Sequence, residues 1–152
     1  MKKTLSRSLL AAALAMPVAA MIGCAPMNTV GSNPLTQDGR KPILFHVTSG
    51  NPAYWNQSLN NAANLQRAEG ADKVFIEIVI NGPAIKMLLA ESKVEARVTG
   101  ALTNGVKIVA CEQTMKALKL TKNDMIPGIG YVPGGIVEVM NRQREGWAYV
   151  NY

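Results

Sequence analysis

The stretch Lys73-Val74-Phe75-Ile76-Glu77-Ile78-Val79-Ile80 is an almost unbroken apolar, β-branched run, and it narrows the folds open to the chain more than any other segment. A strand with one solvated face alternates polar and apolar residues. One that is apolar at both parities is buried on both sides, as in a parallel sheet layered between helices. The neighbouring segments repeat the theme. Residues 43–48 form a second strand-like run closed by Ser49-Gly50-Asn51-Pro52, a loop signal. Residues 53–69 place Trp55, Leu59, Ala62 and Ala63 at helical spacing and stop at Gly70, which predicts a helix. After Asn81-Gly82-Pro83, with Pro83 suited to a helix start, residues 84–92 and 94–104 predict one broken helix or two short ones. A third strand over 106–110 leads into a helix over 111–120 with Cys111, Met115 and Leu118 on one side. A turn at 121–124, a short strand over 129–132, a helix over 134–145 and a last strand over 147–150 complete the chain. This alternation predicts a single α/β domain: a mainly parallel five-stranded sheet with helices on both faces, a flavodoxin-like three-layer arrangement.

Composition removes the main alternatives. In 152 residues, 48% are hydrophobic and 17% charged, which suits one domain with a real core and excludes a disordered chain, collagen, a coiled coil or a multi-span membrane protein. Two cysteines cannot build a disulfide-dense miniprotein. The net charge of +6 owes half its value to Lys2, Lys3 and Arg7; without them 13 basic residues face 10 acidic ones, leaving +3. No Lys/Arg cluster is interleaved with aromatics, so no nucleic-acid partner is expected.

Those three basic residues precede an apolar stretch from Leu9 to Ala20 that is too short to span a bilayer comfortably, the layout of a secretory signal. Met21-Ile22-Gly23-Cys24 resembles the lipobox of bacterial lipoproteins, in which the cysteine is lipidated and becomes the new N-terminus. Cleavage after Val18-Ala19-Ala20, a small-x-small site, is the rival reading; a cytoplasmic protein with a hydrophobic N-terminal helix is a third. The segment that follows is rich in Pro, Gly, Ser, Asn and Asp with no apolar period, which suits a tether. The expected organisation is a signal peptide over 1–23, a flexible linker over 24–41 and a folded domain over 42–152. The expected location is the periplasm, on a membrane anchor at Cys24.

In a parallel α/β sheet the loops at the carboxyl ends of the strands build the site. They are Ser49-Gly50-Asn51, Asn81-Gly82, Cys111-Glu112-Gln113 and Pro133-Gly134-Gly135. Asn81, Gly82, Gln113 and Gly134 are candidate ligand-binding residues, and Cys111 is the chemically sharp member. At a strand-to-helix junction its sulfur would sit near the positive end of a helix dipole, which favours thiolate, while Glu112 opposes this. The alternative is a small buried hydrophobe. No Cys-x-x-Cys occurs, which excludes a thioredoxin-like dithiol cycle. His46, the one histidine, is a second catalytic candidate: a general base for Cys111 if the first and third strands adjoin, or else a core histidine satisfied by hydrogen bonds. No ligand cluster for a metal is visible, and no metal or cofactor is expected. Glu77 interrupts an apolar strand and is expected to pair with a basic residue or face a subunit interface. The turns Gly128-Ile129-Gly130 and Pro133-Gly134-Gly135 lack the spacing of a phosphate-binding motif and suit turns that need a flexible backbone.

With these residues in view, the domain resembles the DsrE/DsrF-like family of small sulfur-metabolism proteins. The resemblance rests on Phe45-His46-Val47, the helix segment from Leu59 to Leu65, Ile78-Val79-Ile80-Asn81-Gly82-Pro83, Val109-Ala110-Cys111 with Thr114, and the ending from Arg142 to Val150. It implies a compact α/β subunit that assembles into trimers or hexamers. In the best understood members it implies a cysteine after the third strand that accepts and passes on sulfane sulfur as a persulfide, the position of Cys111. Those members are cytoplasmic and work with partner proteins, whereas this chain carries an export signal. Two functions follow as expectations: a tethered sulfur carrier acting through Cys111 with a sulfur donor or acceptor protein, or a non-enzymatic small-ligand-binding or oligomeric scaffold domain of the periplasm.

Overall fold

The computed structural model describes residue 36 and residues 38–152; the expected signal peptide, the expected lipidation site Cys24 and most of the expected linker lie outside the described residues. Five strands form one sheet: β1 (Lys41–Val47), β2 (Val74–Ile80), β3 (Lys107–Cys111), β4 (Gly130–Val132) and β5 (Ala148–Asn151). Among the described residues four α-helices accompany them: α1 (Pro52–Glu69), α2 (Glu95–Thr103), α3 (Glu112–Ala117) and α4 (Gly135–Arg144). A 3-10 segment, Gly82–Leu88, stands between β2 and α2. All pairings are parallel, and the order across the sheet is β4-β3-β2-β1-β5.

That order decides which helix covers which face. From β1 to β4 each strand is laid beside the last in one direction, and crossovers of one hand put their connecting segments on one face. The return from β4 to β5 crosses the sheet the other way and carries α4 to the opposite face. Packing agrees. Phe45, Val47, Ile78, Ile80 and Ile108 join Trp55 and Leu59 of α1, Val98 of α2 and Met115 of α3 in the large core. Leu44, Val79 and Val109 meet Val139 of α4 and Trp147 in a much smaller one. The sheet is thus covered on both sides, as the alternation predicts, but very unequally.

Most element boundaries fall within one residue of those expected, and two departures matter. The stretch 84–104 is a 3-10 segment and one short helix, separated by a bridge from Leu89 to Met125. Helix α3 stops at Ala117 rather than at 120. Lys119 adopts φ 57°, the N–H of Leu120 donates to Met115 O and that of Lys119 to Lys116 O, the paired bonds of a Schellman termination. Leu118 is consequently half exposed, not packed beside Cys111 and Met115.

Candidate functional site

Adjacent strands whose onward connections leave to opposite faces open a crevice at their carboxyl ends. In this sheet that place is between β3, which leads to α3, and β4, which leads to α4. Cys111 is the last residue of β3 and the N-cap of α3, so the strand holds it at the crevice floor with 4% of its surface exposed. It is therefore not part of the helix, contrary to the helix expected over 111–120, and stands just before its first residue. Above it lies a cavity of about 630 Å3 lined by Asn81, Gly82, Cys111, Gln113, Gly134 and Gly135, with Lys86 and Thr114 among the polar groups and Pro83, Leu118, Ile136 and Val137 among the apolar ones. A site of this size with mostly apolar walls and a few converging polar groups has the character of a small-molecule pocket.

Donors surround the sulfur. The N–H of Gly135, at the start of α4, lies 3.2 Å from Cys111 Sγ. Glycine favours this approach: a Cβ there would sit 3.0 Å from Asn81 Cβ and 3.3 Å from Cys111 Cβ, so both neighbours would have to give way. The Thr114 hydroxyl accepts the N–H of Gly82 at 3.1 Å, which leaves its own proton for the thiol. Gly82 takes φ 56°, a conformation that favours glycine, to deliver that N–H. Burial pushes the Cys111 thiol up, but hydrogen bonds from the Thr114 side chain and from the N–H groups of Gly135, Thr114 and Gln113 outweigh it and bring the thiol below its ordinary value. Donors aimed at sulfur stabilise the anion in the same way as at any thiolate nucleophile. Glu112 does not oppose them at close range; its carboxylate is exposed and lies 3.8 Å from Lys122 Nζ.

His46 is elsewhere. Because β2 stands between β1 and β3, the first and third strands do not adjoin, and His46 is no neighbour of the thiol. Its register partner is Val79, whose partner is Val109. Both ring nitrogens are engaged, Nε2 with Asn81 Oδ1 at 2.9 Å and Nδ1 with the Tyr149 hydroxyl at 3.0 Å. The role of a base for Cys111 is therefore ruled out for this side chain; it stands behind the cavity lining, bonded to Asn81.

Of the four strand-end loops, three meet at the cavity and one does not. Ser49 O accepts the Trp55 indole N–H at 2.7 Å and Asn51 Oδ1 caps α1, so that loop serves the helix start. Glu77, on the α4 face, is fully buried and pairs with Lys107 Nζ at 3.0 Å and Arg142 Nε at 2.9 Å. Burial raises its carboxyl above the ordinary value, against the pull of the two cations. Among the described residues no three His, Cys, Asp or Glu side chains are grouped as metal ligands would be. Sequence reasoning missed Lys86, Tyr149 and the apolar wall. It noted Thr114 without its role; a hydroxyl in the first turn after a strand-end cysteine was the available signal.

Comparisons place the chain among known proteins. The DsrE/DsrF-like family model matches residues 41–152. The structure of MTH1491, a protein of unknown function from Methanobacterium thermoautotrophicum, is similar with a TM-score of 0.70 at 26% identity, over 74% of this chain and 99% of that one. BT1422, a conserved protein of unknown function from Bacteroides thetaiotaomicron, gives 0.62 at 16%, over 77% and 99%. The ychN protein from E. coli gives 0.61 at 14%, over 74% and 99%. No curated protein matches the chain.

Proposed function

We propose, for a chain that belongs to the DsrE/DsrF-like family, a sulfur-carrier function centred on Cys111. The observation that carries it is a thiol held at the floor of a 630 Å3 cavity at the switch between β3 and β4, with the Gly135 N–H 3.2 Å from its sulfur and hydrogen bonding that brings the thiol below its ordinary value. In the forward step the Cys111 thiolate attacks the outer sulfur of a donor persulfide. A new S–S bond forms, the donor's S–S bond breaks, and the donor leaves as a thiolate with the bonding pair. In the return step an acceptor thiolate attacks the outer sulfur of the Cys111 persulfide and Cys111 departs as thiolate, so no net oxidant is consumed. The same N–H and hydroxyl donors bear on both steps: they hold Cys111 as the thiolate that attacks in the first and stabilise the charge that returns to its sulfur in the second.

The chain's leader supports an exported setting: a signal over 1–23, lipid at Cys24 and a tether that lets the domain stand off the membrane. A homo-oligomer, trimeric or hexameric, is supported by the apolar residues left in solvent on α4 and β5, where Ile136, Val137, Met140, Tyr149 and Val150 are exposed; exposed apolar patches of this kind mark interaction surfaces. The mostly apolar cavity also favours a second reading, a small-ligand-binding module in which Cys111 is chemically silent.

Intact mass spectrometry of the mature protein, before and after polysulfide and then reductant, separates the two. The carrier gains whole sulfur atoms that reductant removes, and Cys111→Ser, still folded, gains none. Equal uptake by Cys111→Ser, or no uptake by a wild-type thiol shown to be intact, contradicts the carrier. The starting mass reports lipid on Cys24.

A further inference from the structure

Among the polar groups around the thiol that none of the steps above uses is the carboxamide of Asn81. Extending the β2–β3 register, in which Val79 faces Val109 and Ile80 faces Ala110, puts Asn81 opposite Cys111 on the same face of the sheet. The two side chains flank Gly135 together, and Asn81 lines the cavity.

The orientation of that carboxamide follows from its partner. Asn81 Oδ1 lies 2.9 Å from His46 Nε2, and a carbonyl oxygen cannot donate, so Nε2 carries the proton. His46 Nδ1 then accepts from the Tyr149 hydroxyl at 3.0 Å. With Oδ1 bound to His46, the Asn81 NH2 group is left on the cavity side. His46 itself is 5% exposed and fixed at both nitrogens, so it acts as a rigid clamp; an unclamped carboxamide would be free to turn its oxygen toward the cavity and repel an anion.

Resting on the carrier reading, we infer that His46 is a positioning residue that holds Asn81 with its NH2 group toward the cavity, making the space over Cys111 selective for a reagent or adduct that bears negative charge beside the sulfur. A persulfide anion on Cys111 is the species this selects within the carrier cycle, since its charge sits on the outer sulfur. The Asn81 NH2 group is a short-range dipole donor and supplements the charge of Lys86 on the cavity wall.

The test compares two alkylating reagents of similar shape, iodoacetate and iodoacetamide, on Cys111 of the full chain. Both react with the thiolate, so the ratio of their rates is insensitive to the thiol pKa and reads the preference for negative charge. His46→Leu and Asn81→Leu are expected to lower the iodoacetate-to-iodoacetamide ratio by about tenfold, the scale of one hydrogen bond to a charged group. His46→Gln, whose amide N–H replaces Nε2–H, is expected to restore the ratio to within about twofold, and an isosteric Asn81→Asp to lower it furthest. A ratio in His46→Leu equal to wild type, or His46→Gln no better than His46→Leu, overturns the positioning role while leaving the carrier intact. A wild-type Cys111 that resists both reagents in the folded protein overturns both.

Discussion

The two faces of the sheet contrast sharply. One is covered by α1, α2, α3 and the 3-10 segment and holds nearly all of the large core, with Ile78, Ile80, Ile85 and Ile108 fully buried. The other carries one ten-residue helix over five strands, a small core, a buried carboxylate with its cations, and the His46–Asn81–Cys111 row. The difference follows from the strand order alone, since a single return crossover leaves one helix where the other face has three. Stability is concentrated on the first face. The second is thin enough at its carboxyl edge to leave a cavity, which Asn81, Cys111 and Gln113 line.

The contrast breaks most visibly at Phe45, buried on the thick face with an edge-on contact to Tyr152 at 5.4 Å. Phe45→Ala should cost about 3–5 kcal/mol in chemical denaturation, with Cys111 in the remaining folded fraction still taking up sulfur. Next in size is Arg142→Met on the thin face. It leaves the buried Glu77 carboxylate with Lys107 as its ion-pair partner and should cost about 2–3 kcal/mol at pH 7, at the low end for a broken buried pair. The sign of its pH dependence follows from Glu77, whose folded-state value is raised. A raised group stabilises the fold fully below its unfolded value and loses that contribution as pH rises through the folded one. The loss in Arg142→Met should therefore shrink toward pH 4, where Glu77 is protonated; an equal loss at both pH values would assign it to the Trp147 contact of Arg142 instead.

Gly135→Ala sharpens the comparison within the thin face. Its Cβ would crowd Asn81 and Cys111, costing about 1–3 kcal/mol and lifting the α4 N–H away from the sulfur, so alkylation should slow at neutral pH as the thiol rises. An unchanged alkylation rate would show that Gly135 is needed for space and not for its N–H. Smallest is Tyr149→Phe, which removes the donor to His46 Nδ1 and leaves Asn81 bound; stability should change by about 0.5 kcal/mol or less, as for other part-exposed sites, and the reagent ratio by no more than about twofold.

The strands were legible because their apolar runs are long and closed by glycine and proline, and the cavity loops followed from a general property of parallel sheets. What periodicity could not convey was which strands are neighbours. His46 looked like a partner for Cys111 on the assumption that β1 and β3 adjoin; β2 between them makes it a partner for Asn81 instead. Leu118 was misplaced for a local reason, since a lysine in the left-handed region at 119 ends α3 early and nothing in a lysine announces that conformation. The donors around Cys111 were invisible for a third reason: three of them are backbone N–H groups, which every sequence supplies and only a fold aims.

The central claim is that these donors prevail over burial at Cys111, and the pH profile of its alkylation by iodoacetamide, located by peptide mass mapping, tests it most directly. The account predicts a midpoint below that of an unstructured cysteine peptide, moving upward in Thr114→Val as one donor is lost. A midpoint at or above the peptide's, or a folded protein in which Cys111 never reacts, would contradict it.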